Sequence, residues 1–213
     1  HPAWDEAGCA SCYQADELDA MESVIPGLAA SAVSYVDVIG AGGSHAAKAG
    51  PCARTDGLEP FFRRVRDAGK GVFVLVKTSN PGSAELQDLA LASGEPLYRR
   101  VADLVNRWGE GTEGSCGYRS VGAVVGGTHP AEGSELRRQM PGVPLLIPGY
   151  GAQGACADDL RSMFDAEGSG AVVNSARAIL YAYRKRMNVS WREAALQEAQ
   201  VMRAALWEAA GRG

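Results

Sequence analysis

The sequence predicts an α/β protein with a parallel sheet, and two patterns carry this prediction. Four apolar runs rich in β-branched residues lie beyond the first third of the chain, at 72–76, 121–125, 143–147 and 170–174. Continuous apolar runs are typical of strands that are buried on both faces. A segment with helical spacing follows each run, and this alternation of strand and helix favours parallel pairing.

Five segments have the apolar spacing or the capping residues of helices. Ser190 and Glu193 form a capping box, which predicts that a C-terminal helix begins at this point. The other four helices lie between and beside the predicted strands, at 84–91, 96–108, 131–140 and 157–164.

The chain before residue 70 is less regular. Residues 33–39 are compatible with one strand and residues 58–68 with a helix, whereas residues 40–51 are small, rich in glycine and without a period. We therefore assign residues 1–55 to a leader without a predicted fold and residues 56–213 to the C-terminal part of an α/β domain.

Composition and charge exclude several classes of protein. The 213 residues, 46% hydrophobic and 22% charged, are typical of one globular domain. A formal net charge of −4 without blocks of like charge argues against nucleic acid or an anionic membrane as a partner. There is no apolar run of about 18 residues and no signal-peptide pattern, so we expect a cytoplasmic protein. The five cysteines are an odd number, which favours reduced thiols.

The stretch "GYGAQG" at 149–154 matches the glycine pattern of dinucleotide-binding turns in letters but not in position. A dinucleotide site lies at the first strand of its domain, with an acidic residue about 20 positions further on. Here one strand remains after the turn, and it ends at Asn174 without an acid. The turn therefore does not predict a Rossmann fold.

A (β/α)₈ barrel, or TIM barrel, is the other fold that binds phosphate near its end, after its seventh and eighth strands. Gly149, Gly151 and Gly154 would let the backbone approach an anion, Gln153 can donate from its amide, and Arg177 can bind two phosphate oxygens through its planar guanidinium. A tight turn beside a solvated arginine is the alternative interpretation.

Several stretches, taken together, resemble orotidine 5′-phosphate decarboxylase in the subfamily found in many bacteria. A shorter match is "DGLEPFF" at 56–62. The main matching stretches are "GVFVLVKTSNPGSAELQDL" (71–89), "GEPLYRRVADLVNRWG" (94–109), "GAVVGGTHPAEGSELRRQMPGVPLLIPGYGAQG" (122–154) and "GAVVNSARAILYA" (170–182).

The resemblance implies a homodimeric TIM barrel that decarboxylates orotidine 5′-monophosphate (OMP) to uridine 5′-monophosphate (UMP) in pyrimidine synthesis, without a metal or another cofactor. By motif, Ser79 would contact the pyrimidine edge and Pro148 would pack near the carboxylate end of the base. Gln153 and Arg177 would hold the 5′-phosphate.

The same resemblance assigns catalysis to an Asp-x-Lys-x-x-Asp motif at the third strand, and the chain has no such motif. Lys48 and Lys70 are the lysines before residue 71, and neither has acids at the required positions. Residues 1–69 have room for at most two further strand–helix units of about 36 residues, so we expect a barrel that is incomplete at its N-terminus. No catalytic residue is assigned. There are two alternatives: a different phosphosugar or phosphonucleotide barrel enzyme, and an inactive phosphate-binding remnant.

Three further features have local interpretations. Cys9 and Cys12 could form half of a zinc site, but unpaired thiols fit their spacing better. His129 is expected to be an exposed loop residue. Lys77, at the end of its strand, could point into a pocket or pair with an acid, and it is not assigned as a proton donor.

Overall fold

The computed structural model describes residues 35–38, 55–68, 71–186 and 188–212. Within them lies one sheet of five parallel strands, and each strand pairs with the strand before and after it in the chain. The strands are β1 (Tyr35–Val38), β2 (Gly71–Lys77), β3 (Val121–Val125), β4 (Leu145–Pro148) and β5 (Ala171–Asn174).

Seven α-helices accompany these strands in the described part of the chain. Three single turns of 3₁₀ helix occur at Pro81–Ser83, Arg161–Met163 and Ala182–Arg184. The α-helices are α1 (Thr55–Ala68), α2 (Ala84–Gln87), α3 (Leu97–Gly109), α4 (Pro130–Gln139), α5 (Ala157–Leu160), α6 (Ala176–Leu180) and α7 (Trp191–Ala209). None of the helices in these residues is long and apolar enough to cross a membrane.

The order of the strands distinguishes between the two parallel architectures. A dinucleotide-binding sheet reverses its order at a switch point, whereas the wall of a (β/α)₈ barrel runs in sequence order. The observed order, β1-β2-β3-β4-β5, is that of a barrel wall. The α/β class and the barrel architecture are therefore confirmed, and the described residues supply five consecutive strands of the wall.

Both faces of β2 and β3 are covered, as their continuous apolar runs predict. On the outer face, alternate residues such as Val72, Val74 and Val76 join the main core with the helices. On the inner face, a small cluster forms around Phe73 and Val124. Because both sets of side chains are buried, β2 and β3 show no alternation of apolar and polar residues, whereas β5, with Val172 exposed, is covered less completely.

Two predicted helices are shorter than expected. The helix predicted at 84–91 ends at Gln87, because the chain then bonds to itself in a turn, with Leu91 N–H donating to Glu95 O at 2.8 Å. Gly94, with a φ of +83°, permits that turn. The helix predicted at 157–164 changes to 3₁₀ geometry after Leu160. Within the strand predicted at 33–39, the structure has β1 at Tyr35–Val38. Residues 1–34 and 39–54 lie outside the described residues.

A close backbone contact joins the ends of β2 and β3. Gly126 N–H donates to Lys77 O at 2.7 Å, and Thr128 Oγ1 donates to Ser79 O at 2.9 Å. A Cβ atom on Gly126 would lie 2.6 Å from both Cα and N of Ser79. Only glycine therefore lets these two loops meet without a shift of the backbone.

We predict that Gly126→Ala lowers the free energy of unfolding by about 1–3 kcal/mol, because the methyl group pushes against backbone that cannot turn away. Chemical unfolding of the two proteins measures the difference. Gly114→Ala is the matched control, because its Cβ would meet nothing closer than 3.8 Å. Equal stabilities of the Gly126 and Gly114 variants would contradict the steric account.

A polar cluster closes the opposite end of the sheet, where the strands begin. The buried Arg137 guanidinium donates to the carbonyl oxygens of Met140, Val143 and Gly170. Nearby, the Asp165 carboxylate accepts a hydrogen bond from the Tyr118 hydroxyl. These bonds satisfy polar groups that would otherwise be desolvated without partners.

The pKa of the Asp165 carboxyl reflects this environment. Burial by itself raises the pKa, but hydrogen bonds from Tyr118, Ser169 and Glu167, together with the Arg137 charge, outweigh burial and hold the pKa below its ordinary value. A lowered pKa in the folded state stabilises the fold above the unfolded-state pKa. This contribution disappears as the pH falls through the folded-state pKa.

We expect Asp165→Asn to be less stable than the wild type near neutral pH and to lose most of this difference in acid. Urea unfolding at about pH 6 and about pH 2.5 measures the two differences. Asp158→Asn is a control, because this carboxylate is exposed in a surface pair with Arg161. A stability difference for Asp165→Asn that does not change with pH would show that the carboxylate charge is irrelevant.

Candidate functional site

The candidate site lies where β4 and β5 end. Pro148 and Asn174 are register partners at the last position of these strands. The loop 149–154, here called the glycine loop, leaves β4, and the junction 174–177 leads from β5 into α6. Between the glycine loop and this junction is a cavity of about 80 Å³, lined by Pro148, Gly149, Tyr150, Ala152, Gln153, Asn174, Ser175, Ala176 and Arg177.

The size of this cavity limits what can enter it. A cavity of about 80 Å³ has room for a group of a few heavy atoms, such as a phosphate, and not for a whole nucleotide. The remainder of a bound nucleotide would have to lie outside the cavity.

Backbone conformation explains the glycines of the loop. Gly149, Gly151 and Gly154 have φ values of +109°, +72° and +102°, which other residues rarely adopt. Gly151 N–H donates to Ala155 O at 2.8 Å, and Gly154 N–H donates to Gly151 O at 3.0 Å. These two amides bond within the loop and are therefore not available to an anion.

Gln153 and Arg177 are two side chains of the cavity that can donate to an anion. Both line the cavity, and both are exposed. Among the described residues, neither side chain has a hydrogen-bond or ion-pair partner, so both are available to a ligand. The structure thus brings together Pro148, Gln153 and Arg177, which the sequence assigned to substrate binding; their contacts with a substrate stay predictions.

Ser79 borders the glycine loop but does not line the cavity. It follows β2 and is half-buried. A Cβ atom on Gly149 would lie 3.0 Å from the Ser79 Cβ, which shows how closely the two loops approach. A ligand whose phosphate occupies the cavity could therefore extend past Gly149 toward Ser79.

Lys77 pairs with an acid, which was one of its two predicted interpretations. The register between β2 and β3 shifts at Leu75/Lys77. The Lys77 ammonium bonds to Asp88 and lies 5.2 Å from the centre of the Tyr98 ring. With only 1% of its surface exposed, this lysine belongs to the packed interior beside α3 and does not reach the cavity.

The prediction for His129 is wrong. Its side chain is half-buried, and Nε2 lies 3.3 Å from Oγ of the buried Ser83. The loop contact at Gly126 explains the difference, because it draws the segment before α4 against the turn that precedes α2.

Sequence reasoning missed Asn174 and Ser175 as cavity residues. The signal was present in "NSAR", since both residues stand between the strand end and Arg177. Lys48, Lys70, Cys9 and Cys12 lie outside the described residues. The described ranges contain no group of three or more His, Cys, Asp or Glu residues placed to hold a metal ion.

Comparison with known sequences identifies relatives. An orotidine 5′-phosphate decarboxylase of Rhodopirellula baltica is 48% identical over 143 residues, which cover 67% of this chain and 47% of the relative. One of Clostridium perfringens is 41% identical over 160 residues, 75% of this chain and 55% of the relative. The chain spans about half the length of the curated relatives it matches.

Solved structures show the same likeness. The OMP decarboxylase of Leishmania donovani has a TM-score of 0.56 at 31% identity, covering 74% of this chain and 56% of that one. The UMP synthase of the same organism has a TM-score of 0.57 at 32% identity, covering 74% and 32%. The profile of one protein family, orotidine 5′-phosphate decarboxylase / HUMPS, matches residues 25–190. With most of its length matched by that profile, the chain belongs to the orotidine 5′-phosphate decarboxylase / HUMPS family.

Proposed function

We propose that this chain takes part in the decarboxylation of OMP to UMP and that its described residues bind the nucleotide. In this reaction the bond between C6 of the pyrimidine and the carboxylate carbon breaks. Carbon dioxide leaves, the electron pair stays at C6, and a proton then adds there. The proposal includes no cofactor.

The cavity between the glycine loop and the β5–α6 junction is the observation that carries this proposal. It has room for a phosphate group, and its lining includes side-chain donors without partners among the described residues, Gln153 and Arg177 among them. A phosphate held there is remote from the reacting carbon. Its binding energy can orient the base and so lower the barrier as well as tighten binding.

We assign the base to the space between Pro148 and Ser79. Ser79 would hydrogen-bond the pyrimidine edge, and Pro148 would pack near the carboxylate end. The close approach of Gly149 to Ser79 supports this arrangement, because it puts the two segments side by side.

We do not assign the proton transfer to any of the described residues. Of the two lysines among them, Lys77 is buried against Asp88, and Lys185 follows the last 3₁₀ turn; neither lines the cavity. This observation favours one second candidate, a phosphate-binding protein without turnover.

We also propose that the protein is cytoplasmic and that it forms a homodimer if its barrel is complete. Two cysteines within the described ranges, Cys116 and Cys156, are free thiols, which fits a reducing compartment. Light scattering of the purified chain measures the oligomeric state, and a monomeric mass would contradict the dimer.

Conversion of OMP to UMP, followed by the change in ultraviolet absorbance, tests the proposed function directly. Formation of UMP together with binding of UMP would support the decarboxylase. Binding of UMP without turnover would replace the decarboxylase with the second candidate. Absence of both would refute nucleotide binding altogether.

We predict that Arg177→Ala weakens UMP binding by about 1.5–3 kcal/mol, as is usual for a hydrogen bond to a charged group. Isothermal titration calorimetry measures the affinity. Arg192→Ala is the control, because this exposed arginine lies on α7 beside Trp191 and outside the cavity. An Arg177 variant that binds UMP as tightly as the wild type would place the phosphate elsewhere.

A further inference from the structure

We propose that Ser175 is a positioning residue, whose hydroxyl holds the glycine loop against the β5–α6 junction so that Gln153 and Arg177 face the same cavity. This inference rests on the proposed function, since it concerns the phosphate site of the same reaction. Ser175 has no other assigned role.

The contact that carries this inference joins the two walls of the cavity. Ser175 is 6% exposed, and its Oγ donates to the carbonyl oxygen of Tyr150 at 3.0 Å. Tyr150 lies three residues before Gln153, and Ser175 lies two residues before Arg177. A single hydrogen bond thus connects the segments that carry the two proposed phosphate ligands.

The position of Ser175 in its helix shows that the hydroxyl is not used for capping. Ser175 is the N-cap of α6, where a serine side chain normally accepts a hydrogen bond from the first turn. It makes no such bond, and its φ and ψ are −141° and 72°. By contrast, Ser190 at the start of α7 does accept the N–H of Glu193 at 3.2 Å.

The glycine loop also packs closely against the β5–α6 junction at Gly151. A Cβ atom on Gly151 would lie 3.0 Å from Ala178 Cβ and 3.5 Å from Ser175 Oγ. Glycine at this position therefore allows the loop to come near enough for the Ser175 bond. Without that bond, the loop would keep its contact with Ala178 but lose the polar link that fixes its orientation.

The test compares Ser175→Ala with Ser120→Ala. Ser120 is a matched control, because its Oγ also donates to a backbone carbonyl, that of Thr112 at 3.1 Å, but at the opposite end of the sheet. Calorimetry measures the affinities of both variants for ribose 5-phosphate, UMP and uridine. Hydrogen exchange of the Gly151 and Gly154 amides measures the order of the loop without any ligand.

We expect Ser175→Ala to bind ribose 5-phosphate and UMP roughly threefold to tenfold more weakly, as one lost hydrogen bond allows. Uridine affinity should not change, and exchange at Gly151 and Gly154 should be faster. Because the serine acts through the phosphate ligands, the double variant with Arg177→Ala should lose less than the sum of the two single losses. Ser120→Ala should match the wild type in all of these measurements.

Wild-type affinity for both phosphate compounds in Ser175→Ala, or an equal loss for uridine, would overturn the positioning role. Unchanged amide exchange in the loop would overturn it as well. The proposed function fails separately, if the wild type binds UMP no more tightly than ribose 5-phosphate. If the wild type binds none of the three compounds, the proposed function also fails, and the exchange rates alone decide the role of Ser175.

Discussion

Parallel pairing in sequence order is the constraint on which the rest of this structure depends. Because β2 to β5 run in the same direction, their C-terminal ends emerge at one edge, and the loops that follow them must share that space. Glycines make this possible at two points. Gly126 meets the backbone at Ser79, and Gly149 packs against the side chain of Ser79. The candidate site is therefore a consequence of how closely the loops at this edge pack.

The two ends of the sheet are chemically different. At the beginning of the strands, the Tyr118 hydroxyl donates to Asp165 and the Arg137 guanidinium donates to backbone carbonyls. These polar side chains therefore already have partners. At the other end, Gln153 and Arg177 have no partner among the described residues. Polar side chains that already have partners stabilise the fold, whereas a ligand needs side chains that are free to bond to it. The proposed function gives these donors a ligand, a nucleotide phosphate.

Much of the fold could be predicted from the sequence, since a strand buried on both faces leaves a continuous apolar run. The observed β2 to β5 lie within two residues of the predicted runs. The short α2 was not predictable from apolar spacing, because the bond between Leu91 and Glu95 competes with the helix. The partner of Lys77 depends on packing against α3, and the environment of His129 depends on a contact between two loops. For the site, the motif predicted the positions of Gln153 and Arg177. It did not reveal Ser175, whose role depends on a hydrogen bond to a residue 25 positions away.

A crystal structure of the chain with UMP bound tests the central claim most directly. The account predicts the phosphate in the cavity between the glycine loop and the β5–α6 junction, with the Gln153 amide and the Arg177 guanidinium both within hydrogen-bond distance of its oxygens and the base extending toward Ser79. A phosphate bound anywhere else, or a base directed away from Ser79, would contradict it.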